Sequence, residues 1–361
     1  MLSDLLAPLS AEYQIFNLFN YITFRTGGAI LTALLISLIL GAPFINWLKQ
    51  RQSEGQPIRD DGPETHFVKK GTPTMGGLLI LCSLVISSLL WVPLRNPYLW
   101  PVLTIIITFG SIGLVDDWMK LNRNTSKGLS GKRKLIIQLI ICIFVSMVFI
   151  ELSPDELRYS VALPFFKEQI LPLGLFYILF SSFVIIGASH SVNLTDGLDG
   201  LAIVPVMIVA SCFVLFSYLS GNINFASYLQ ISYIPGVGDL ATLCGALIGA
   251  SLGFLWFNAP PAKVFMGDTG SLALGGALGA ISVATRHEFV LAIAGGLFVV
   301  ETISVVLQVA CFRLFGKRIF LMAPLHHHFE KKGWAEPTIV IRFWIISVVL
   351  ALISLSTLKL R

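Results

Sequence analysis

Apolar residues in this chain come in long unbroken runs rather than in the every-second or every-third positions of a half-buried strand or helix. The runs are about 17–25 residues long, the length of helix that crosses a bilayer's hydrocarbon core. They predict ten membrane-spanning helices at roughly 23–48, 75–92, 99–115, 134–151, 171–190, 200–219, 239–257, 270–285, 289–311 and 338–358. The longest connections are about 20–26 residues, too short to hold a separate soluble domain. The expectation is an all-α polytopic membrane protein in which residues 1–361 form one integral-membrane domain.

Composition narrows this further. Of 361 residues 55% are hydrophobic and only 12% charged, where a soluble domain carries about 25% charged. A soluble globular enzyme, a disordered chain and a disulfide-stapled secreted domain are thereby excluded. All five cysteines lie inside apolar runs without a CxxC pair, so they read as small hydrophobes. No basic residue precedes Arg25, which leaves out the charged start of a cleavable signal peptide. Of the 25 Lys and Arg, 18 fall in or beside the loops 49–74, 116–134, 190–199, 258–269 and 312–337. By the positive-inside rule that side is cytoplasmic and both termini point outward.

Two ionisable residues sit within predicted spans, Glu301 and His190. Such groups are functional candidates by default, and for Glu301 a hydrogen bond between helices is the plainer alternative. The glycine-rich stretch Gly270 to Gly279 permits close helix packing and needs no chemistry.

Seven of the ten aspartates, Asp60, Asp61, Asp116, Asp117, Asp196, Asp199 and Asp268, fall on the predicted cytoplasmic side. A transporter or flippase would place polar groups near the midplane instead. A one-sided collection suggests a site that handles a water-soluble substrate beside the lipid, and a pure scaffold would have no use for it. Asp116 and Asp117 diverge by about 100° on a helix, so they would divide roles between metal or phosphate and a proton. Lys120 stands within ion-pair reach of either, and a solvated helix terminus is the bland alternative.

In Asn193-Leu194-Thr195-Asp196-Gly197-Leu198-Asp199-Gly200 the three polar residues recur every third position, so a helical turn would align them on one face. Loop 190–199 has no Lys or Arg, and Mg²⁺ or a distant lysine would balance these acids; an Asx-capped turn is the other reading. Asp268, between glycines just before a helix, suits either an N-cap or a metal ligand for a bound phosphate. Adjacent His326, His327 and His328 point in different directions, which argues against zinc and for hydrogen bonds to phosphate or help with proton transfer. Lys69, Lys70, Lys120, Lys132, Arg133 and Lys134 supply cations suited to a pyrophosphate, although they also satisfy the positive-inside rule unaided. Gly71 to Gly77 lacks P-loop spacing, so an NTPase is not expected.

Taken in order, Gly71-Thr72-Pro73-Thr74-Met75-Gly76-Gly77, Asp116-Asp117, Asn193 to Gly200, Phe265-Met266-Gly267-Asp268 and the triple-histidine run closely resemble one family. It is that of the bacterial phospho-N-acetylmuramoyl-pentapeptide-transferases, within the polyprenyl-phosphate N-acetylhexosamine-1-phosphate transferase superfamily. The resemblance covers essentially the whole chain. It implies ten spans, outward termini, a cytoplasmic-facing cleft in the bacterial inner membrane, a homodimer, and no nucleic-acid partner. It further implies Mg²⁺-dependent transfer of phospho-N-acetylmuramoyl-pentapeptide from its UDP conjugate to undecaprenyl phosphate, giving lipid I and UMP.

By the same resemblance Asp268 is the Mg²⁺ ligand and Asp116 and Asp117 are the catalytic pair. Asn193, Asp196, Asn258, His326, His327 and His328 line the site. Phe265 stacks on uracil near Gly197, Leu198 and Asp199, and Lys70, Lys120 and Lys132 contact phosphates. Direct attack by the lipid phosphate is expected, with Asp117 orienting or deprotonating it; a covalent phospho-aspartate is the rival scheme. A UDP-N-acetylglucosamine-1-phosphate transferase is the runner-up, and the triple-histidine loop favours the muramoyl-pentapeptide enzyme.

Overall fold

In lipid a backbone satisfies its N–H and C=O groups only as helices or as a closed barrel, and unbroken apolar runs of this length suit helices. The computed structural model describes residues 1–52, 55, 69, 71–123, 128–165 and 170–360. Its principal helices are α1 (Ile22–Arg51), α2 (Gly77–Trp91), α3 (Leu99–Asn122), α4 (Gly131–Leu152) and α5 (Phe176–Thr195), followed by α6 (Ile203–Ser220), α7 (Leu240–Asn258), α8 (Gly267–Ala284), α9 (Gly296–Phe315) and α10 (Glu336–Leu360). Each predicted span has its helix. A small antiparallel ribbon pairs Ser160–Ala162 with Ile170–Pro172, Val161 standing opposite Leu171.

Three spans depart from expectation. The third runs on to Asn122, so Asp116 and Asp117 are helical rather than terminal. The ninth is broken at Gly295, where a short helix, Glu288–Ala294, hands over to α9. Among the described residues eight helices are long and apolar enough to cross a membrane; α2 is shorter, and α8 is not among them. The reason lies in its surroundings: every residue from Thr269 to Ala284 is buried, so α8 is enclosed by protein and has no need of a lipid-compatible surface.

Packing against α8 comes mainly from α3 and α5, while α1 lies along α7. Glycine sets the closeness of the α3–α8 contact, since a Cβ on Gly113 would collide with the Asp268 carbonyl. Gly113→Val is expected to prise the two helices apart at a destabilisation of about 1–3 kcal/mol. It should show as a lower melting temperature in detergent and lost turnover. An unaltered melting temperature would remove this contact from the fold's essentials.

The bundle has two chemically distinct ends. At one, the Met1 amino group donates to the Leu89 carbonyl at 3.0 Å, Arg25 pairs with Asp239 at 2.8 Å, and Lys359 reaches the Tyr228 hydroxyl at 3.4 Å. Both termini therefore share this end. Asp116, Asp117, Asp268 and the lysines that pair with them lie at the other.

Candidate active site

The N-terminus of α8 is where the site begins. Its first N–H groups have no partner within the helix, and Asp117 of α3 supplies one. Asp117 Oδ1 accepts from the Asp268 N–H at 3.2 Å, and Oδ2 accepts from the Thr269 N–H at 3.0 Å and the Thr269 hydroxyl at 2.7 Å. A carboxylate is also favoured there by the helix dipole. The cap predicted for Asp268 thus comes from a neighbouring helix, and Asp268 is the second residue of α8. Asp117 is held at the α8 N-terminus by three hydrogen bonds.

Relieved of capping, Asp268 faces its neighbours across the helix ends. Its Oδ1 accepts from Asn193 Nδ2 at 2.9 Å, and its Oδ2 lies 2.8 Å from Lys134 Nζ and 3.3 Å from Lys120 Nζ. The same two ammonium groups hold Asp116, Lys134 at 2.9 Å from Oδ1 and Lys120 at 2.7 Å from Oδ2. The Leu129 N–H also donates to Asp116 Oδ1, at 2.5 Å. Asp116, Asp117 and Asp268 each bring one carboxylate oxygen within 4.8 Å of the others. Three hard oxygen donors this close suit Mg²⁺ far better than a soft metal.

Lys134 is one of the six cations of these loops, while Lys70, Lys120 and Lys132 are the lysines that the resemblance puts at phosphates. The structure leaves Lys132 exposed and turns Lys134 to the acids. Lys70, Asp60 and Asp61 lie outside the described residues.

A helical alignment of Asn193, Asp196 and Asp199 is not found, because α5 ends at Thr195. Asn193 stays on the helix, donating to Asp268 and, at 2.8 Å, to the Ser271 hydroxyl. Asp196 follows as the C-cap residue. Withdrawal from water, and then the charges of Asp268, Asp117 and Asp199, push its carboxyl up to about 8. The shift brings its protonated, hydrogen-bond-donating form within reach near neutral pH.

Asp199, in the turn beyond, is already paired. Its Oδ1 takes Lys69 at 2.7 Å and its Oδ2 accepts the Ala262 N–H at 3.0 Å. Glu336, at the start of α10, accepts from the Asp199 N–H at 3.0 Å and meets Lys69 at 2.6 Å. Lys69 is thus the distant lysine that the acids of this loop required. Asn258 is a brace: it accepts the Gly200 N–H at 3.0 Å and donates to the Val264 carbonyl at 2.9 Å. Leu198 is buried beside α10, in a small cluster with Ile339 and Phe343.

Phe265 is half-buried, and its backbone links the loop to the Gly71–Gly77 motif. Its N–H donates to the Pro73 carbonyl at 2.9 Å, and its carbonyl accepts the Gly76 N–H at 2.9 Å. The ring is left to do something other than hold the loop.

The three histidines diverge as their adjacency requires. Both oxygens of Glu301 serve His326, one meeting its N–H at 3.2 Å and the other its Nδ1 at 3.2 Å, and the ring lies against Gly197. His327 pairs through Nδ1 with Glu330 at 2.6 Å, and His328 Nδ1 accepts the Leu321 N–H at 3.1 Å. His190 bonds Gln138 at 2.8 Å, deeper along α4 and α5.

Comparison with known proteins adds an independent line. A family model described as glycosyl transferase family 4 matches residues 99–286. A signature described as phospho-N-acetylmuramoyl-pentapeptide-transferase signature 1 matches residues 69–81. Among curated relatives, a phospho-N-acetylmuramoyl-pentapeptide-transferase of Granulibacter bethesdensis is 59% identical over 362 residues, covering 100% of both chains. One of the same name from Rhodopseudomonas palustris is 58% identical over 356 residues, 99% of each.

Proposed function

Because this chain belongs to the phospho-N-acetylmuramoyl-pentapeptide-transferase family, we propose that it transfers phospho-N-acetylmuramoyl-pentapeptide from UDP to undecaprenyl phosphate. The products are lipid I and UMP, in the first membrane step of peptidoglycan synthesis. The observation that carries this reading is the meeting of Asp116, Asp117 and Asp268 with Lys120 and Lys134 at one end of an apolar bundle. A diphosphate in water and a phosphate on a lipid tail can both reach such a place. The lysine-rich loops at this end support a cytoplasmic face, in the inner membrane, and the family supports a homodimer.

Phosphoryl transfer asks a protein for positioning and charge neutralisation more than for covalent work. One oxygen of the lipid phosphate bonds to the sugar-bearing phosphorus of the UDP conjugate, and the bond from that phosphorus to the UMP oxygen breaks. A phosphate monoester has its second pKa near 6, so the acceptor is already mostly dianionic at pH 7. Lys120 and Lys134 lie where they would neutralise the oxygens of the two reacting phosphates, and Asp196 would donate a hydrogen bond to one of them. Asp268, with Asp116, would hold Mg²⁺, which when bound offsets the negative charge of the diphosphate.

Direct displacement is favoured over a covalent aspartyl-phosphate because Asp117 is engaged by the α8 N-terminus and Asp116 by Leu129 and two lysines. Trapping of a labelled phospho-aspartate in the absence of lipid would reverse that choice. The test of the function is UMP release by the purified protein with Mg²⁺. Release is expected only when UDP-N-acetylmuramoyl-pentapeptide and undecaprenyl phosphate are both present. Label accepted from UDP-N-acetylglucosamine alone would refute the assignment.

A further inference from the structure

Glu301 is an acid inside a membrane-spanning helix, it is fully buried, and neither of its oxygens is offered to the aspartate cluster. Both are spent on one residue. Oε1 accepts the His326 backbone N–H, and Oε2 lies 3.2 Å from His326 Nδ1. A carboxylate can only accept, so Nδ1 carries the ring proton and Nε2 of the neutral ring is left with a bare lone pair. Nε2 is itself buried and has no hydrogen-bond partner. It is turned toward Gly197, where a Cβ would strike it, so the missing side chain leaves the nitrogen on the seam between the short helix Leu325–Lys331 and the turn that follows α5.

From these observations we infer that Glu301 is a positioning residue: it fixes His326 in the Nδ1–H tautomer, so that Nε2 accepts a hydrogen bond from a hydroxyl or N–H group of the bound nucleotide. A buried acceptor without a donor is costly, and a ligand that fills the seam removes that cost. A doubly protonated ring would bury an unpaired N–H there instead, which is worse. The intramembrane position of the acid follows from the same logic. Out of water, the orientation imposed on the imidazole is held by a strong charge-assisted bond rather than by solvent exchange. The inference rests on the nucleotide reading proposed above.

Glu301→Gln tests it, because the amide keeps the shape. Its oxygen can still accept the His326 N–H, but its NH₂ must now donate to Nδ1, which moves the ring proton to Nε2. In protein labelled with ¹⁵N-histidine, the His326 signals are identified by their loss in His326→Asn. The expected result is an unprotonated Nε2 in the parent and a protonated one in the Gln variant. UMP binding, measured by calorimetry, is expected to weaken by about tenfold, the size of one buried hydrogen bond lost. Glu301→Asp, which keeps an acceptor for Nδ1, should retain the parent tautomer and most of the affinity.

A reversed tautomer with unchanged UMP affinity would overturn the proposal, since Nε2 would then meet no ligand. Equal losses in the Gln and Asp variants with no tautomer change would also overturn it, reducing Glu301 to a packing role. Should the parent protein fail to bind UMP at all, the nucleotide reading falls, while the tautomer measurement still decides whether Glu301 sets the ring.

Discussion

Asp268→Asn should lower turnover by about a thousandfold or more, the scale of losing a main electrostatic contact in a transfer reaction. Asp268 is the acid that meets both lysines and Asn193 without being used as a cap, so it is the one carboxylate of the three most open to a metal. An amide keeps the volume and can still accept from Asn193. What it removes is the charge that balances Lys120 and Lys134. The fold should survive, because the α8 N-terminus is held through the backbone N–H of Asp268 and not through its side chain. The measurement is UMP release at saturating Mg²⁺, paired with a melting curve. Near-parental rates with an unchanged melting temperature would take Asp268 out of the chemistry.

Asp117→Asn is expected to fail differently. The amide NH₂ would face donor-to-donor either the Asp268 N–H or, in the flipped orientation, the Thr269 N–H, where the carboxylate now accepts all three hydrogen bonds. Hydrogen bonds to a charged group contribute about 1.5–3 kcal/mol each and do not add simply. A loss of about 2–4 kcal/mol of stability is therefore expected, together with a fall in turnover of a hundredfold or so, because a misplaced Asp268 loses its alignment. The two variants are told apart by stability: a large drop in melting temperature for Asp117→Asn and little for Asp268→Asn. If Asp117→Asn melts like the parent yet is inactive, its role is direct chemistry and the capping account is wrong.

Much of this was legible in the residues, and the misses have physical causes. Runs of bilayer length located every principal helix, although the ends of the third, fifth and ninth lie five to seven residues from those expected. The break at Gly295 was not visible because a glycine within an apolar run does not announce whether it is bent. Alignment of Asn193, Asp196 and Asp199 failed for a related reason. Spacing of three describes a helix only while the helix lasts, and α5 stops at Thr195.

Burial on α4 falls on Gln138, Cys142, Val145, Ser146, Phe149 and Ile150, a face that extends back through Lys134 and leaves Lys132 about 200° away. Because the helix is apolar all round, that inward face is set by packing and its sequence does not distinguish Lys134 from Lys132. Partners far apart in the chain were beyond such reasoning: nothing local links Lys69 to Glu336, or Glu301 to His326. Those pairs arise from how the bundle closes, and they bring together motifs that lie far apart in the chain.

The enclosure of α8 bears on how the protein is made. A helix rich in glycine and alanine, with Asp268 in its first turn and hydroxyl residues along it, has less tendency to leave the translocon for lipid by itself than its more apolar neighbours. It must be received by neighbours already in place, and α3 and α5, which flank it in the finished bundle, both precede it in the chain. The segment that carries Asp268 is thus added to a groove prepared during synthesis, and the acid cluster can be assembled only after that docking is complete.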